Sequence, residues 1–211
     1  MHAMADNYLE KRQEELAHAQ KTVIRRNHLS LDTLLRRNRS YRGFSGTVSE
    51  AQLRELVGVV PLVASGMNRQ ALRFRLVSGA DAALVHPLVK LGAALPEEHL
   101  PHPGMEPSAY IVVCSTVPED KVVDIDLGIA AQSMLLKATE MGLGGIFILN
   151  FRREALKEAL GLPLEPVAVI GLGKPAETVF LVPGASPDAL AYYRKDGVHY
   201  VPKLAMEDLI V

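Results

Sequence analysis

One cysteine stands in 211 residues, so no disulfide can form within the chain. Cys114 lies in the apolar run Ala109 to Ser115 and reads as a buried, inert core thiol. Charge of neither sign prevails. The net charge of −1 argues against nucleic acid as a partner, because its binders carry a basic surplus. No apolar stretch approaches the roughly 20 residues that span a bilayer. The leading segment, with Asp6, Glu10, Lys11, Arg12, Glu14 and Glu15, lacks the apolar core of a signal peptide. The expectation is a soluble, cytoplasmic protein. There is no Gly-x-Ser-x-Gly elbow, no Cys/His nucleophile pair and no paired-carboxylate pattern, so nothing points to hydrolysis. His99 and His102 have a spacing that suits a metal, but Pro101 and Pro103 break the helix that would aim both rings together. No metal site is expected.

What is present supports a single substantial core. The chain is 48% hydrophobic, and no Ser/Gly linker divides it. Residues Asp6 to about Arg26 are charged and free of Gly and Pro, and read as a leading helix with a thin apolar stripe. Ser30 opens a short helix ending near Asn38. Ser49-Glu50-Ala51-Gln52 is a capping-box pattern, and the helix behind it turns Leu53, Leu56 and Val57 inward and stops at Pro61. Arg73 to Val77 alternates as a half-buried strand. Asp81 to about Leu95 reads as a helix, with Pro87 a candidate break, and 96–107 as a loop. Ala109 to Ser115 and Pro166 to Gly173 read as buried strands, Phe147 to Leu149 as a brief one. Asp126 reads as opening the strongest helix, apolar nearly all round and closed by Gly142. Its Met134, Leu135 and Ala138 are expected at a subunit contact. Strands standing singly between helices argue for an α+β or mixed α/β domain with one central sheet.

Two segments carry chemistry. Asn38-Arg39-Ser40-Tyr41-Arg42-Gly43-Phe44 packs two guanidiniums and a hydroxyl into four residues, and arginine presents a fixed fork of donors that matches phosphate. Ala64-Ser65-Gly66-Met67-Asn68-Arg69-Gln70 sets amides among small residues, where Asn68 can meet a planar ligand edge as both donor and acceptor. Together they describe a flat, polar-edged ligand with a phosphate, and flavin mononucleotide fits. The glycine-rich stretches do not make a dinucleotide fingerprint. Gly142-Leu143-Gly144-Gly145 follows a helix, not a strand, and Gly171-Leu172-Gly173-Lys174-Pro175 opens no helix. The former reads as a helix-ending turn whose backbone reaches something flat.

In this order the segments resemble the FMN-dependent nitroreductase family from about residue 30 to the end. The likeness rests on Asn38 to Phe44, on Ser65 to Gln70, and on Asp126-Leu127-Gly128-Ile129-Ala130-Ala131-Gln132 running through to Gly142-Leu143-Gly144. Phe147 to Phe151, Leu160-Gly161-Leu162-Pro163, and the strand ending Gly171-Leu172-Gly173-Lys174-Pro175 extend it. Asn38 stands where many members have Arg, and Ala71-Leu72 replaces a frequent Pro-Trp. The segment between the second and third motifs is short, which opens the substrate channel.

The resemblance implies an α+β nitroreductase-like fold with a central mixed β-sheet flanked by helices, in an intertwined homodimer. Residues 1–29 would form an N-terminal helical extension and 30–211 the FMN-binding domain. FMN would be held by Asn38, Arg39, Ser40, Arg42, Asn68, Gln70, Phe147, Leu149, Asn150 and Lys203, with a backbone N–H near Asn150 beside the flavin N5. Each site would draw on both subunits. The implied activity is hydride transfer from NAD(P)H through the flavin to a nitroaromatic, quinone or similar acceptor in ping-pong fashion, with no protein side chain acting as acid or base. A non-catalytic flavin binder, or a related-fold enzyme acting on flavin itself or on a halogenated aromatic, are the alternatives.

Overall fold

The computed structural model describes residues 29–186 and 188–211. The chain divides into two compact units, Met1–Leu31 and Asp32–Val211, and the second holds every element discussed below apart from the first residue of its opening helix. The expected leading helix, Asp6 to Arg26, lies outside the described residues.

The element order is α1 (Leu31–Arg37), β1 (Phe44–Ser45), α2 (Glu50–Val57), β2 (Leu72–Ser78), α3 (Ala82–Val85), β3 (Ala109–Ser115), α4 (Lys121–Glu140), β4 (Gly144–Ile148), α5 (Arg153–Ala159), β5 (Glu165–Pro175), β6 (Thr178–Pro183), β7 (Tyr193–Lys195) and β8 (Val198–Lys203). Five strands make the central sheet. β5 is its spine: β3 pairs along one edge with β2 beyond it, and β4 and β1 share the other edge. β6, β8 and β7 form a small second sheet.

The central sheet is not mixed, as the resemblance led us to expect. All its ladders are antiparallel. Parallel neighbours need a helical crossover between adjacent positions. Here the crossover β3–α4–β4 skips a place, and β5 fills it running the other way. Among the described residues, parallel pairing is confined to β6 with β8 and to an isolated bridge between Ser40 and Gly145.

β3 and most of β5 are buried on both faces, which explains their unbroken apolar runs. One face carries Ile111, Val113, Ala168 and Ile170 against Leu53 and Leu56 of α2 and Leu127 and Met134 of α4. The other carries Tyr110, Val112, Cys114 and Val169 against Val85 of α3 and Leu156 of α5. The result is helices on both faces of an antiparallel sheet. α2 starts as its sequence announces: the Gln52 N–H donates to Ser49 Oγ at 3.3 Å, and the Ser49 N–H donates to Gln52 Oε1 at 2.9 Å.

α4 begins earlier than expected. Asp120 caps it, accepting from the Val123 N–H at 2.8 Å, so the helix opens at Lys121 and Asp126 sits in its second turn. The expected subunit contacts are also corrected in part. Met134 and Ala138 are 1% and 0% exposed within their own subunit, because they face the sheet. The outward stripe of α4 runs through Ile125, Gly128, Ile129, Gln132 and Leu136. Gly142, at φ 73°, ends the helix, with its N–H donating to Thr139 O and the Leu143 N–H to Ala138 O.

The helix expected over Asp81 to Leu95 is only one turn long. Pro87 lacks an N–H, and beyond it Val89 bridges Phe151 while the Lys90 N–H donates to Asn150 O at 2.9 Å. The chain after β4 takes the backbone groups a helix would have used.

Candidate functional site

The loop between α1 and β1 is held from several sides. The Tyr41 N–H donates to Gly145 O at 3.2 Å, tying the loop to β4. The Tyr41 ring lies over Gly144 so closely that a Cβ there would meet it at 2.5 Å. Gly144 and Gly145, expected in a helix-ending turn, instead open β4, and the ring packed on Gly144 is Tyr41 of the same chain. Glu177, in the turn after β5, accepts from the Arg42 N–H and, at 3.2 Å, from the Gly43 N–H. Its second oxygen accepts from Arg194 of β7. This carboxylate joins the loop to the small sheet.

So held, the loop forms the floor of a cavity of about 410 Å³ whose lining includes Asn38, Arg39, Ser40, Arg42, Gln132 and Lys203. The residues expected at the ligand phosphate do come together. His199 and Tyr192 complete the wall. Arg42 is buried, donates through Nη1 to Ser40 O at 2.9 Å, and places its guanidinium carbon 4.7 Å from the centre of the Tyr192 ring. Arg39 donates to Leu35 O, and burial pulls its pKa below the usual arginine value. Among the described residues no carboxylate forms a salt bridge with Arg39, Arg42 or Lys203. Arg39 Nε, Arg42 Nε and His199 Nδ1 are buried without a hydrogen-bond partner among them. Buried donors and uncompensated cations are costly unless an acceptor is supplied. A phosphate supplies both charge and acceptor oxygens, so the residues present fit the phosphate end of FMN.

The second segment lines a different cavity, of about 280 Å³, with Asn68 and Gln70 on its rim and Val57, Val60 and Phe74 among its apolar walls. Its turn is strained. Met67, Asn68 and Gln70 all take left-handed backbone, with φ of 52°, 53° and 46°. Such conformations persist only where the surroundings over-determine them, and they gather at functional sites. Here Asp126 over-determines the turn: its carboxylate, 5% exposed, accepts from Ser65 Oγ and from the Gly66 N–H. Within the turn, Gln70 Nε2 donates to Asn68 Oδ1 at 2.8 Å. Arg69 pairs with Asp120 at 2.9 Å.

Phe147, Leu149 and Asn150 line neither cavity. Phe147 is half-buried against the α4 side of the core, whereas Leu149 is 64% exposed and Asn150 exposed. Sequence reasoning missed Glu177, Tyr192 and the place of His199. The signal for His199 was there: in a strand over Val198 to Lys203, positions 199, 201 and 203 share one face, and Lys203 was already a candidate. Glu177 left no such signal, because it acts through backbone N–H groups distant in sequence.

The fold has counterparts in known proteins. A nitroreductase family protein from Streptococcus pneumoniae TIGR4 is 17% identical, with a TM-score of 0.60 over 78% of this chain and 100% of that one. An FMN-dependent nitroreductase from Clostridium difficile R20291 is 21% identical, with a TM-score of 0.55 over 68% of this chain and 87% of that one. An NADPH:FMN oxidoreductase from Vibrio harveyi, complexed with NAD+, is 20% identical, with a TM-score of 0.57 over 83% of this chain and 80% of that one. These likenesses show the shared fold. Residues 35–174 match the nitroreductase family itself, a span that takes in both the arginine loop and the amide turn, and the chain is an oxidoreductase belonging to that family.

Proposed function

We propose that this protein is an FMN-dependent NAD(P)H oxidoreductase that reduces a nitroaromatic, quinone or similar acceptor. The observation that carries the reading is the cradle of Arg39, Ser40, Arg42 and Lys203, in which Arg39 Nε and Arg42 Nε are buried without a hydrogen-bond partner among the described residues. FMN, when bound, supplies the redox chemistry, taking hydride from the nicotinamide and passing electrons to the acceptor. The Clostridium difficile and Vibrio harveyi relatives use or bind FMN or a nicotinamide by description, which supports this choice of cofactor.

The chain's own residues bind and orient. Arg39, Arg42 and Lys203 neutralise the phosphate, and Ser40 and Asn38 add hydrogen-bonding groups beside it. Asn68 and Gln70 serve the ring edge, with the strain of their turn borne by Asp126 and Ser65. The Leu149–Asn150 segment, which lines neither cavity of this subunit, would offer backbone donors to the flavin. The cradle and the amide turn line separate cavities of one subunit, which favours a homodimer in which each FMN is held by the cradle of one subunit and the turn of the other. The outward stripe of α4, with Ile125, Gly128 and Ile129, is the surface proposed for that contact. Residues 1–29 are proposed as an extension to this domain, and the cytoplasm as its compartment. No helix among the described residues is long and apolar enough to cross a membrane.

The test is the absorbance spectrum of the purified protein, then anaerobic NADH and NADPH. The expected result is a flavin spectrum, FMN on extraction, that bleaches with a nicotinamide and recovers with a quinone. Double-reciprocal plots should run parallel, because one exposed flavin face admits donor or acceptor in turn. Flavin that binds but resists both nicotinamides would leave a non-catalytic binder. Absence of flavin after reconstitution would end the proposal.

A further inference from the structure

Arg42 is the most deeply buried of the three cradle cations. Its guanidinium is clamped by residues of the small sheet and its approach. The guanidinium carbon lies over the Tyr192 ring, and Nη1 donates to His199 Nε2 at 3.4 Å. Tyr192 and His199 in turn pack on each other at 5.1 Å between ring centres. Arg194 of β7 is the cross-strand partner of His199 on β8 and stands two residues after Tyr192. One carboxylate reaches both the clamp and the loop. Glu177 Oε2 accepts from Arg194 Nη2, while Oε1 accepts from the Arg42 N–H and, at 3.2 Å, from the Gly43 N–H. Its side chain is 5% exposed and is not part of the cavity lining.

Arg42 is thus anchored to Glu177 by two routes. The main chain is held directly. The side chain is held through Arg194, the β7–β8 pairing, and the rings of Tyr192 and His199. An arginine ordered before its ligand arrives loses less freedom on binding, because the cost of ordering falls on folding. Both oxygens of Glu177 are engaged elsewhere, so the carboxylate fixes Arg42 without forming a salt bridge to its guanidinium. The cation stays available to an incoming anion.

We propose that Glu177 is a positioning residue of the cradle: it fixes Arg42 by its main chain and, through Arg194, by the Tyr192–His199 wall, and so raises the affinity for a phosphate-like oxyanion that it does not touch. The inference rests on the cradle being an anion site, as proposed above. The role runs against the residue's own charge. A carboxylate close to an anion repels it, so Coulomb interaction alone would make Glu177 weaken binding. The sign of the effect therefore separates positioning from charge.

The experiment uses the full chain and two probes, FMN by fluorescence and inorganic sulfate by calorimetry. Glu177→Gln keeps the shape and removes the charge. An amide has one acceptor oxygen and one NH2, so whichever way it turns, donors face donors at either Arg194 or the loop backbone. The expected result is weaker binding of both probes, by about ten- to a hundredfold, the range seen when partners that orient metal ligands are lost. The double variant Glu177→Gln, Arg194→Met leaves the net charge as it was and removes the buried cation that the first change leaves unpaired. It should recover thermal stability but not affinity, and it decides the matter if the single variant does not fold. Unchanged or tighter binding in Glu177→Gln, or affinity that returns together with stability in the double variant, would overturn the role of Glu177 while leaving the anion site intact. Failure of the unmutated protein to bind either probe would overturn the anion site and this inference with it.

Discussion

The hydroxyl of Ser65 donates to Asp126 at 2.6 Å and accepts from the Gln70 N–H at 3.0 Å. One oxygen therefore links the second turn of α4 to the end of the amide turn. The same carboxylate takes the Gly66 N–H at 2.8 Å. Residues that are otherwise free to relax out of left-handed backbone are fixed through Ser65 by a buried acid 61 positions beyond it.

Asp126→Ala should therefore cost stability and local order together. Removing a buried charged acceptor from two donors leaves both unsatisfied, a loss of about 1.5–3 kcal/mol. Urea unfolding measures the first effect. The second should appear as faster amide exchange at Met67 to Gln70, with the rest of the sheet unchanged. Wild-type exchange in the turn would show that Asp126 does not hold it.

Arg39→Ala should weaken FMN binding by about ten- to a hundredfold, the equivalent of one charge-assisted hydrogen bond. Arg39 is partly desolvated already and no described carboxylate forms a salt bridge with it, so its loss costs the apo protein little. Flavin fluorescence titration gives the dissociation constant. An unchanged value would place the phosphate elsewhere.

The parts of this fold that a sequence announces are those whose signal is local. The capping box at Ser49 and the runs 109–115 and 166–173 describe their own neighbourhoods, and the structure has them nearly where they were expected. α4 was legible in its body but not at its start, because Asp120 is one acid among several and its bond to Val123 gives no pattern. The cradle was legible as Arg39, Ser40 and Arg42. Its other side was not, because Glu177 and His199 reach it only through the pairing of β6, β7 and β8, and register between strands is a non-local property. The direction of β5 escaped for the same reason.

Ile125→Asp should shift the proposed homodimer toward the monomer. Ile125 is 51% exposed and stands on the outward stripe of α4, so a carboxylate there disturbs no core packing. Sedimentation at micromolar concentration, with circular dichroism as control, checks it. A dimer of undiminished affinity would move the interface off this helix.

Cys114 should resist thiol–disulfide exchange in the native protein and react freely once unfolded. It is buried between β2 and β5, and burial pushes its thiol up to about 11, so little thiolate exists near pH 8. Ellman's reagent with and without denaturant gives the comparison. Rapid native labelling would mean that β3 opens away from a neighbouring strand.

Acid should destabilise the protein through His86. The Tyr110 hydroxyl lies 2.7 Å from His86 Nδ1, and burial lowers the His86 pKa while raising that of Tyr110. The phenol thus donates to a neutral imidazole, and protonation would replace the acceptor with a second donor. Because the folded pKa lies below the unfolded value of about 6.5, the unfolded state binds the proton first as pH falls. The stabilisation is present above about pH 6.5 and is lost as pH drops from there through the folded value. Thermal unfolding between about pH 7 and 5 should show a falling Tm. His199, whose pKa is lowered as well, contributes with the same sign, so His86→Gln should remove only part of the slope. Identical slopes in the two proteins would show that the His86–Tyr110 bond does not couple folding to pH.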